Sequence, residues 1–208
     1  MKKTSLFLIV VSIIFINCAG NNSEKLREDS IRKADSIAAI QSEKEETERA
    51  AEQARLDSIR QDSIERAQKQ MEAFTPSLFI SKSEGWWNTK YNIPSSLKKI
   101  GFSLVQKKFV KDLIGYTDGE TADGYNLKYS NEDIGVTVSW GIQTNSNESQ
   151  ISTEIAIYFN NQDLENMFVS KIKQMGFKKE DKNFYFYPDG LVVFINQGNS
   201  TYAIDRVS

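Results

Sequence analysis

The C-terminal part of the chain alternates between apolar and polar residues with a period of two. The alternation covers 125–129, 134–140 and 151–159, and apolar runs follow at 184–187, 191–195 and 201–207. Such alternation predicts β-strands with one buried face. Pro188-Asp189-Gly190 between two of these runs predicts a tight turn, and therefore an antiparallel hairpin.

Two helices are predicted between the strands, because apolar residues there recur every three or four positions. The longer one follows Asn161 and carries Leu164, Phe168, Ile172 and Met175. Gly176 then ends it. The shorter one begins near Pro94 and ends at Gly101.

The two helix ends resemble one another at an offset of 75 residues. Gly101-Phe102 aligns with Gly176-Phe177, Lys107 with Lys182, and Phe109 with Phe184. This predicts a tandem αβββ repeat that forms one antiparallel sheet, or two half-sheets, with helices on one face. The layout resembles the tandem helix–strand repeats of beta-lactamase-inhibitor-type proteins and other small periplasmic binding modules, at the level of topology alone.

Residues 24–72 have a different composition, with thirteen acidic and ten basic residues and no Gly, Pro or aromatic residue. Good helix formers dominate, and opposite charges recur four residues apart, as at Glu45/Arg49 and Asp62/Arg66. This favours a solvated helical stalk of roughly 70 Å. A weak self-associating coiled coil and plain disorder are the alternatives, because the apolar positions are too sparse for sustained heptads.

The N-terminus has the build of a secretory signal: basic Met1-Lys2-Lys3, then an apolar run at 6–16, and then Cys18. The segment resembles a bacterial lipoprotein signal peptide, although Phe15 and Asn17 stand where that pattern prefers Leu and a small residue. The resemblance implies that Cys18 is lipidated and becomes the mature N-terminus. The alternative is an uncleaved signal anchor.

The triplet Asp-Ser-Ile occurs four times in the stalk, and Asp and Ser are not favoured inside helices. It resembles the acceptor pattern for O-glycosylation in Bacteroidota, and the chain as a whole resembles lipoproteins of that group. The resemblance makes four serines candidate acceptors: Ser30, Ser36, Ser58 and Ser63. The alternative is a low-complexity repeat that places isoleucines on the helix.

Composition excludes several kinds of chemistry. The chain has no histidine and one cysteine, so a His-based triad, a His-ligated metal site and an intrachain disulfide are impossible. A net charge of −2 gives no case for nucleic-acid binding. We find no catalytic motif and expect no cofactor and no metal.

The sharpest local candidate for binding is Trp86-Trp87, with Tyr91 nearby. Adjacent residues of an extended segment point to opposite sides, so at least one Trp is a candidate for exposure. Exposed Trp and Tyr are typical binding anchors. The alternative is that both pack at the junction of stalk and head.

We therefore expect an α+β protein with four parts: a signal peptide (1–17), a lipidated N-terminus and linker (18–23), a charged helical stalk (24–73) and a head (74–208). The expected function is that of an envelope lipoprotein anchored in a membrane, most simply the outer membrane, with either face open. Its head is expected to be a non-enzymatic module that binds protein, peptidoglycan or glycan. The alternatives are a carboxylate-based envelope hydrolase and a structural oligomer held together by the stalk.

Overall fold

The computed structural model of the chain describes residues 23–81, 86–87, 92–114, 121–187 and 192–206. The first element is a long helix, α1 (Ser23–Ala73), which confirms the predicted stalk helix. The chain divides into two compact units, one reaching Ser58 and one spanning Ile59–Ser208. The last turns of α1 therefore belong to the second unit.

In the first unit, the described side chains of α1 are exposed from position 27 onward. Three ion pairs join residues one turn apart: Lys44–Glu48, Glu45–Arg49 and Glu52–Arg55, at 4.0, 3.4 and 2.7 Å. The expected Glu45–Arg49 pair is thus present, whereas Asp62 and Arg66 form no ion pair in the described part of the chain.

In the second unit, a short 3-10 helix (Pro76–Leu78) and two short paired strands, β1 (Ile80–Ser81) and β2 (Trp86–Trp87), follow α1. The two remaining helices are α2 (Ile93–Lys99) and α3 (Gln162–Gln174). The remaining strands are β3 (Ser103–Ile114), β4 (Thr121–Asn131), β5 (Val136–Gln143), β6 (Ile155–Phe159), β7 (Lys178–Lys179), β8 (Phe184–Phe186), β9 (Val192–Gly198) and β10 (Thr201–Arg206).

The large sheet has the strand order β3-β4-β5-β6-β10-β9-β8-β7, and every neighbouring pair is antiparallel. Two successive repeats, each a helix followed by four strands, produce this order: α2 with β3–β6 and α3 with β7–β10. The last strands of the two repeats, β6 and β10, pair at the centre, and the first strands, β3 and β7, lie at the two edges. The α+β fold and its antiparallel sheet are therefore confirmed, and four strands follow each helix.

The ends of α2 and α3 have the same backbone geometry. Gly101 and Gly176 adopt φ of 89° and 103°, which an L side chain rarely adopts. Each glycine N–H bonds a carbonyl three residues back, and the N–H of the following Phe102 or Phe177 bonds one five residues back. These are paired Schellman motifs, and they explain why the Gly-Phe match is found at an offset of 75.

The sequence match holds only near the helix ends. Phe109 lies in β3, the first strand of the first repeat, whereas Phe184 lies in β8, the second strand of the second repeat. The alignment of Phe109 with Phe184 is therefore wrong, because β3 is twelve residues long and β7 only two. The strand predicted from residue 151 begins instead at Ile155.

The core is aromatic and lies between the helices and one face of the sheet. Phe74, immediately after α1, stacks on Phe102 and Phe168 at centroid distances of 5.5 and 5.3 Å. Ala67 and Met71, in the last turns of α1, pack against the same core. The end of the long helix is therefore built into the head, because its apolar residues are buried there.

Candidate functional site

The eight-stranded sheet has two unlike faces. On one face, the helix-covered face, strand residues pack with helical residues such as Leu97, Phe168 and Ile172. Its buried members include Leu127, Val138, Ile157, Ile204 and Phe194. The residues between them point to the other face, the open face, which crosses the sheet through Lys128, Ser139, Ala156, Ala203, Ile195 and Phe184. Within the second unit, α2, α3 and the last turns of α1 pack against the helix-covered face.

Half of the open face forms a groove. It lies over β3–β6 and has a volume of about 540 Å³. We call it the lysine groove and define it by six polar side chains: Gln106, Lys108, Asn126, Lys128, Ser139 and Tyr158. Directly paired positions place them together, since Gln106 faces Lys128, Lys108 faces Asn126, and Lys128 faces Ser139. The volume is in the range that is usual for ligand sites.

The side chain of Leu113 forms one end of the lysine groove. Asp112 has φ of 54° within a register shift of β3, and the next residue, Leu113, is 93 % buried. A Cβ on Gly141 would lie 3.1 Å from the Leu113 side chain, and one on Gly124 would lie 2.8 Å from it. Leu113 therefore rests on two glycines, and larger residues there would displace it.

The charges of the groove are predominantly positive. Lys108 and Lys128 form no ion pair with residues in the described ranges, whereas the carboxylate of Glu154, which also lines the groove, accepts a hydrogen bond at 3.3 Å from Gln197. Glu154 is the one carboxylate among the described residues that line the groove. Across the described part of the chain, no three Cys, Asp or Glu residues form a group able to hold a metal ion.

An aromatic ring stands at the end of the groove opposite Leu113. Tyr158 of β6 is 41 % exposed. Its cross-strand neighbours are Thr137 on β5 and Thr201 on β10. Both are small, so neither ring face is bordered by a bulky neighbour along that row.

Carboxylates on the helix-covered side have structural partners. The hydroxyl of Tyr129 donates to Glu148 at 2.8 Å, and Trp140 Nε1 donates to the Glu148 carbonyl at 3.1 Å. Burial, followed by the bond to Glu148, raises the pKa of Tyr129 above its usual value. Tyr202 donates to the buried Glu165 in the same way, and burial again raises its pKa. These groups brace the loop after β5 and the helix α3.

The described residues that line the groove include none of the site residues expected from the sequence. Trp86 and Trp87 form β2, which confirms that the segment is extended, and the structure describes their backbone only. Trp140 is buried, as expected. Cys18 and Tyr91 lie outside the described residues. Ser30, Ser36, Ser58 and Ser63 all lie exposed on α1.

Sequence reasoning missed the lysine groove as a site, although part of its signal was visible. Asn126 and Lys128 are the polar positions of an alternating run, and Ala156 and Tyr158 occupy the same phase of another. The alternation indicates that these side chains share a face with their own strand neighbours. It does not reveal that β3, β4, β5 and β6 lie side by side in this register.

Comparisons with known proteins add no relative: no protein-family model, curated protein or solved structure matches the chain. No described helix combines the length and the apolar character that crossing a membrane requires.

Proposed function

We propose that the chain is a lipid-anchored lipoprotein of the cell envelope, and that its head is a non-enzymatic binding module whose binding surface is the open face. The observation that carries the proposal is the lysine groove on the open face. A sheet face that converges polar side chains into a groove is suited to recognition.

The anchor part of the proposal rests on the sequence. A basic start, an apolar segment of signal length and the chain's single cysteine, Cys18, stand in lipoprotein order. Lipoprotein maturation adds more than one acyl chain, which suffices for stable membrane attachment. The charged stalk then joins the anchor to the head, and the Trp86-Trp87 segment remains a second candidate surface.

Glycosylation of the stalk is part of the same proposal. The four candidate serines are exposed on α1, as a modified hydroxyl requires. Bulky polar groups at Ser30, Ser36, Ser58 and Ser63 would shield the exposed isoleucines that follow them in each Asp-Ser-Ile triplet, of which Ile31 is 60 % exposed.

One experiment in the native host tests the proposal. A photo-crosslinking residue replaces Ser139 in the groove, and a matched control replaces Lys173, which is exposed on α3 on the other side of the sheet. We expect the chain to lie in the membrane fraction and to give discrete adducts from position 139 alone. The intact mass of the same preparation reports lipid on Cys18 and glycans on the serines.

Each part of the proposal has an outcome that contradicts it. Equal adducts from positions 139 and 173, or none from 139, would exclude the open face as the binding surface. A Cys18→Ser variant that remains as firmly attached to the membrane as the original chain would exclude lipidation as the anchor. Unmodified serines would exclude glycosylation of the stalk.

A further inference from the structure

The polar groups of the lysine groove are predominantly donors. Lys108 and Lys128 carry ammonium groups, which donate only, and Gln106 and Asn126 each offer two amide N–H bonds. Ser139 adds a hydroxyl that can donate or accept. A surface of this kind is complementary to a ligand rich in acceptor oxygens.

The charge of the groove indicates that some of these acceptors are anionic. Neither Lys108 nor Lys128 forms an ion pair with a described carboxylate, and among the described lining residues two lysines face a single carboxylate, that of Glu154. Hydrogen bonds from ammonium groups to carboxylates are shorter and stronger than neutral ones. A ligand that brings carboxylates would supply the counter-charge that the groove lacks.

The apolar atoms of the groove favour a sugar over a peptide. Peptide and protein partners bind mainly through aromatic or aliphatic anchors in apolar pockets. Here the apolar side chains that line the groove on the open face are buried: Leu113 and Ala156 are each at most 8 % exposed. What remains exposed is the ring of Tyr158, which offers an aromatic face, with amides and hydroxyls nearby to bond sugar hydroxyls.

The dimensions favour a chain of sugars. Tyr158 lies on β6 and Glu154 immediately precedes that strand, so the four residue steps between them span at most about 14 Å of extended chain. Leu113 lies beyond, at the far end of the groove. The span is longer than a single sugar ring and accommodates a short oligosaccharide along β6.

We infer that the lysine groove binds a carboxylate-bearing glycan, with Lys108 and Lys128 on its carboxylates and the ring of Tyr158 against a sugar face. This inference rests on the proposed function, because it assigns a ligand class to the same surface. Carboxylates on sugars distinguish the ligand from neutral glycans, and sugar rings distinguish it from acidic peptides.

The test uses the full chain in detergent and titration calorimetry with four probes: hexagalacturonate, its methyl ester, maltohexaose and hexaglutamate. We expect hexagalacturonate to bind most tightly, because it alone combines sugar rings with carboxylates. Lys108→Met and Lys128→Met should each weaken binding about five-fold, the size expected for an exposed charge pair. Lys173→Met, the matched control on α3, should leave binding unchanged.

Variants of Tyr158 distinguish the contribution of the sugar ring to binding from the contribution of its charge. Tyr158→Phe keeps the ring and should retain most of the affinity. Tyr158→Ala removes the ring and should weaken hexagalacturonate binding about ten-fold, which is at the lower end of the range for a nucleic-acid base stacked on an aromatic side chain. Hexaglutamate, which has no sugar ring, should not distinguish the two variants. The unfolding midpoint of each variant confirms that the head remains folded.

Three outcomes overturn the inference: hexaglutamate binding as tightly as hexagalacturonate, the methyl ester binding as tightly as the acid, or no binding of hexagalacturonate at millimolar concentration. The first would instead indicate an acidic peptide as the occupant. Adducts from position 139 in membranes are an independent readout. If they persist while the glycan fails, the open face remains a binding surface and only the ligand class is wrong.

Discussion

The two halves of the sheet have the same plan and unlike surfaces. Each half is a helix with a Schellman end followed by four antiparallel strands, and the halves meet at β6 and β10. Over β3–β6, however, the open face carries lysines, amides and hydroxyls, whereas over β8–β9 it carries Phe184, Phe186, Val193 and Ile195. The buried residues of the helix-covered face are predominantly apolar in both halves.

This difference shows which parts of the plan the fold requires. The helix ends and the helix-covered residues are alike because both halves share one core. The open face contributes little to that core, so its composition is free to differ. The half with the longer hairpin, β3–β4, is also the half with the groove, since those two strands supply four of the six defining side chains.

The largest expected effect tests whether the two helix ends are equivalent in energy. Phe102 and Phe177 follow the two Schellman glycines and are 3 % and 4 % exposed. Replacing either with Ala removes a buried ring, and we expect each change to cost about 3–5 kcal/mol of unfolding free energy. Urea denaturation followed by circular dichroism measures both.

The control for this pair is Tyr158→Ala on the open face, which should change the unfolding free energy by less than about 1 kcal/mol, as for a surface substitution. The equivalence of the two halves fails if one Phe→Ala variant loses several times more stability than the other. It also fails if the open-face control loses as much as either.

Much of this comparison was accessible from the sequence, because local physics dominates at helix ends and in alternating strands. Gly101 and Gly176 could be placed as helix stops since only glycine readily adopts the positive φ required there. The helix after Asn161 was equally clear, and the Asn161 side chain does accept hydrogen bonds from the first turn of α3. These features depend on neighbours within a few residues.

Features that depend on strand register were not accessible. Residues 151–154 alternate like a strand, yet Thr153 is used to receive the Gly141 N–H at 2.7 Å in a loop. The lysine groove joins residues from four strands, and its end depends on a positive φ at Asp112, which no local rule predicts. The Trp86-Trp87 pair drew attention because it is conspicuous in sequence, whereas Lys128 is not.

A smaller effect should separate the two glycines. Ala at Gly101 or Gly176 must adopt a left-handed backbone, which costs about 1–2 kcal/mol. At Gly101 the added Cβ would also overlap the amide nitrogen of Gln70 and lie 3.0 Å from Asn131 Nδ2. Asn131 Nδ2 donates a hydrogen bond to the Ile100 carbonyl at 2.8 Å, so displacing Asn131 disturbs this contact.

We therefore expect Gly101→Ala to be the more destabilising of the two, measured by the same urea denaturation. Asn, which tolerates positive φ better than Ala, should restore part of the loss at Gly176. Equal losses at the two positions would contradict the part that we assign to the displacement of Asn131. No loss at either would contradict the left-handed backbone itself.

The smallest effect concerns pH and compares one tyrosine from each half. Burial and a carboxylate partner raise the pKa of both Tyr129 and Tyr202 above the ordinary value of 10.0. In the folded state each therefore keeps its proton at a pH where the unfolded chain has lost it. The unfolded state then binds fewer protons, so stability falls as pH rises.

The stabilisation from each tyrosine is fully present below pH 10.0 and is lost as pH rises from there through the raised folded-state pKa. The slope approaches about 1.4 kcal/mol per pH unit for each tyrosine. Urea denaturation at pH 9, 10 and 11 measures this slope. Tyr129→Phe and Tyr202→Phe should each remove the contribution of one tyrosine proton to it. If Tyr202→Phe alone flattened the profile, the first half would not hold its tyrosine as the second does. The likeness of the two halves would then not extend to their buried tyrosines.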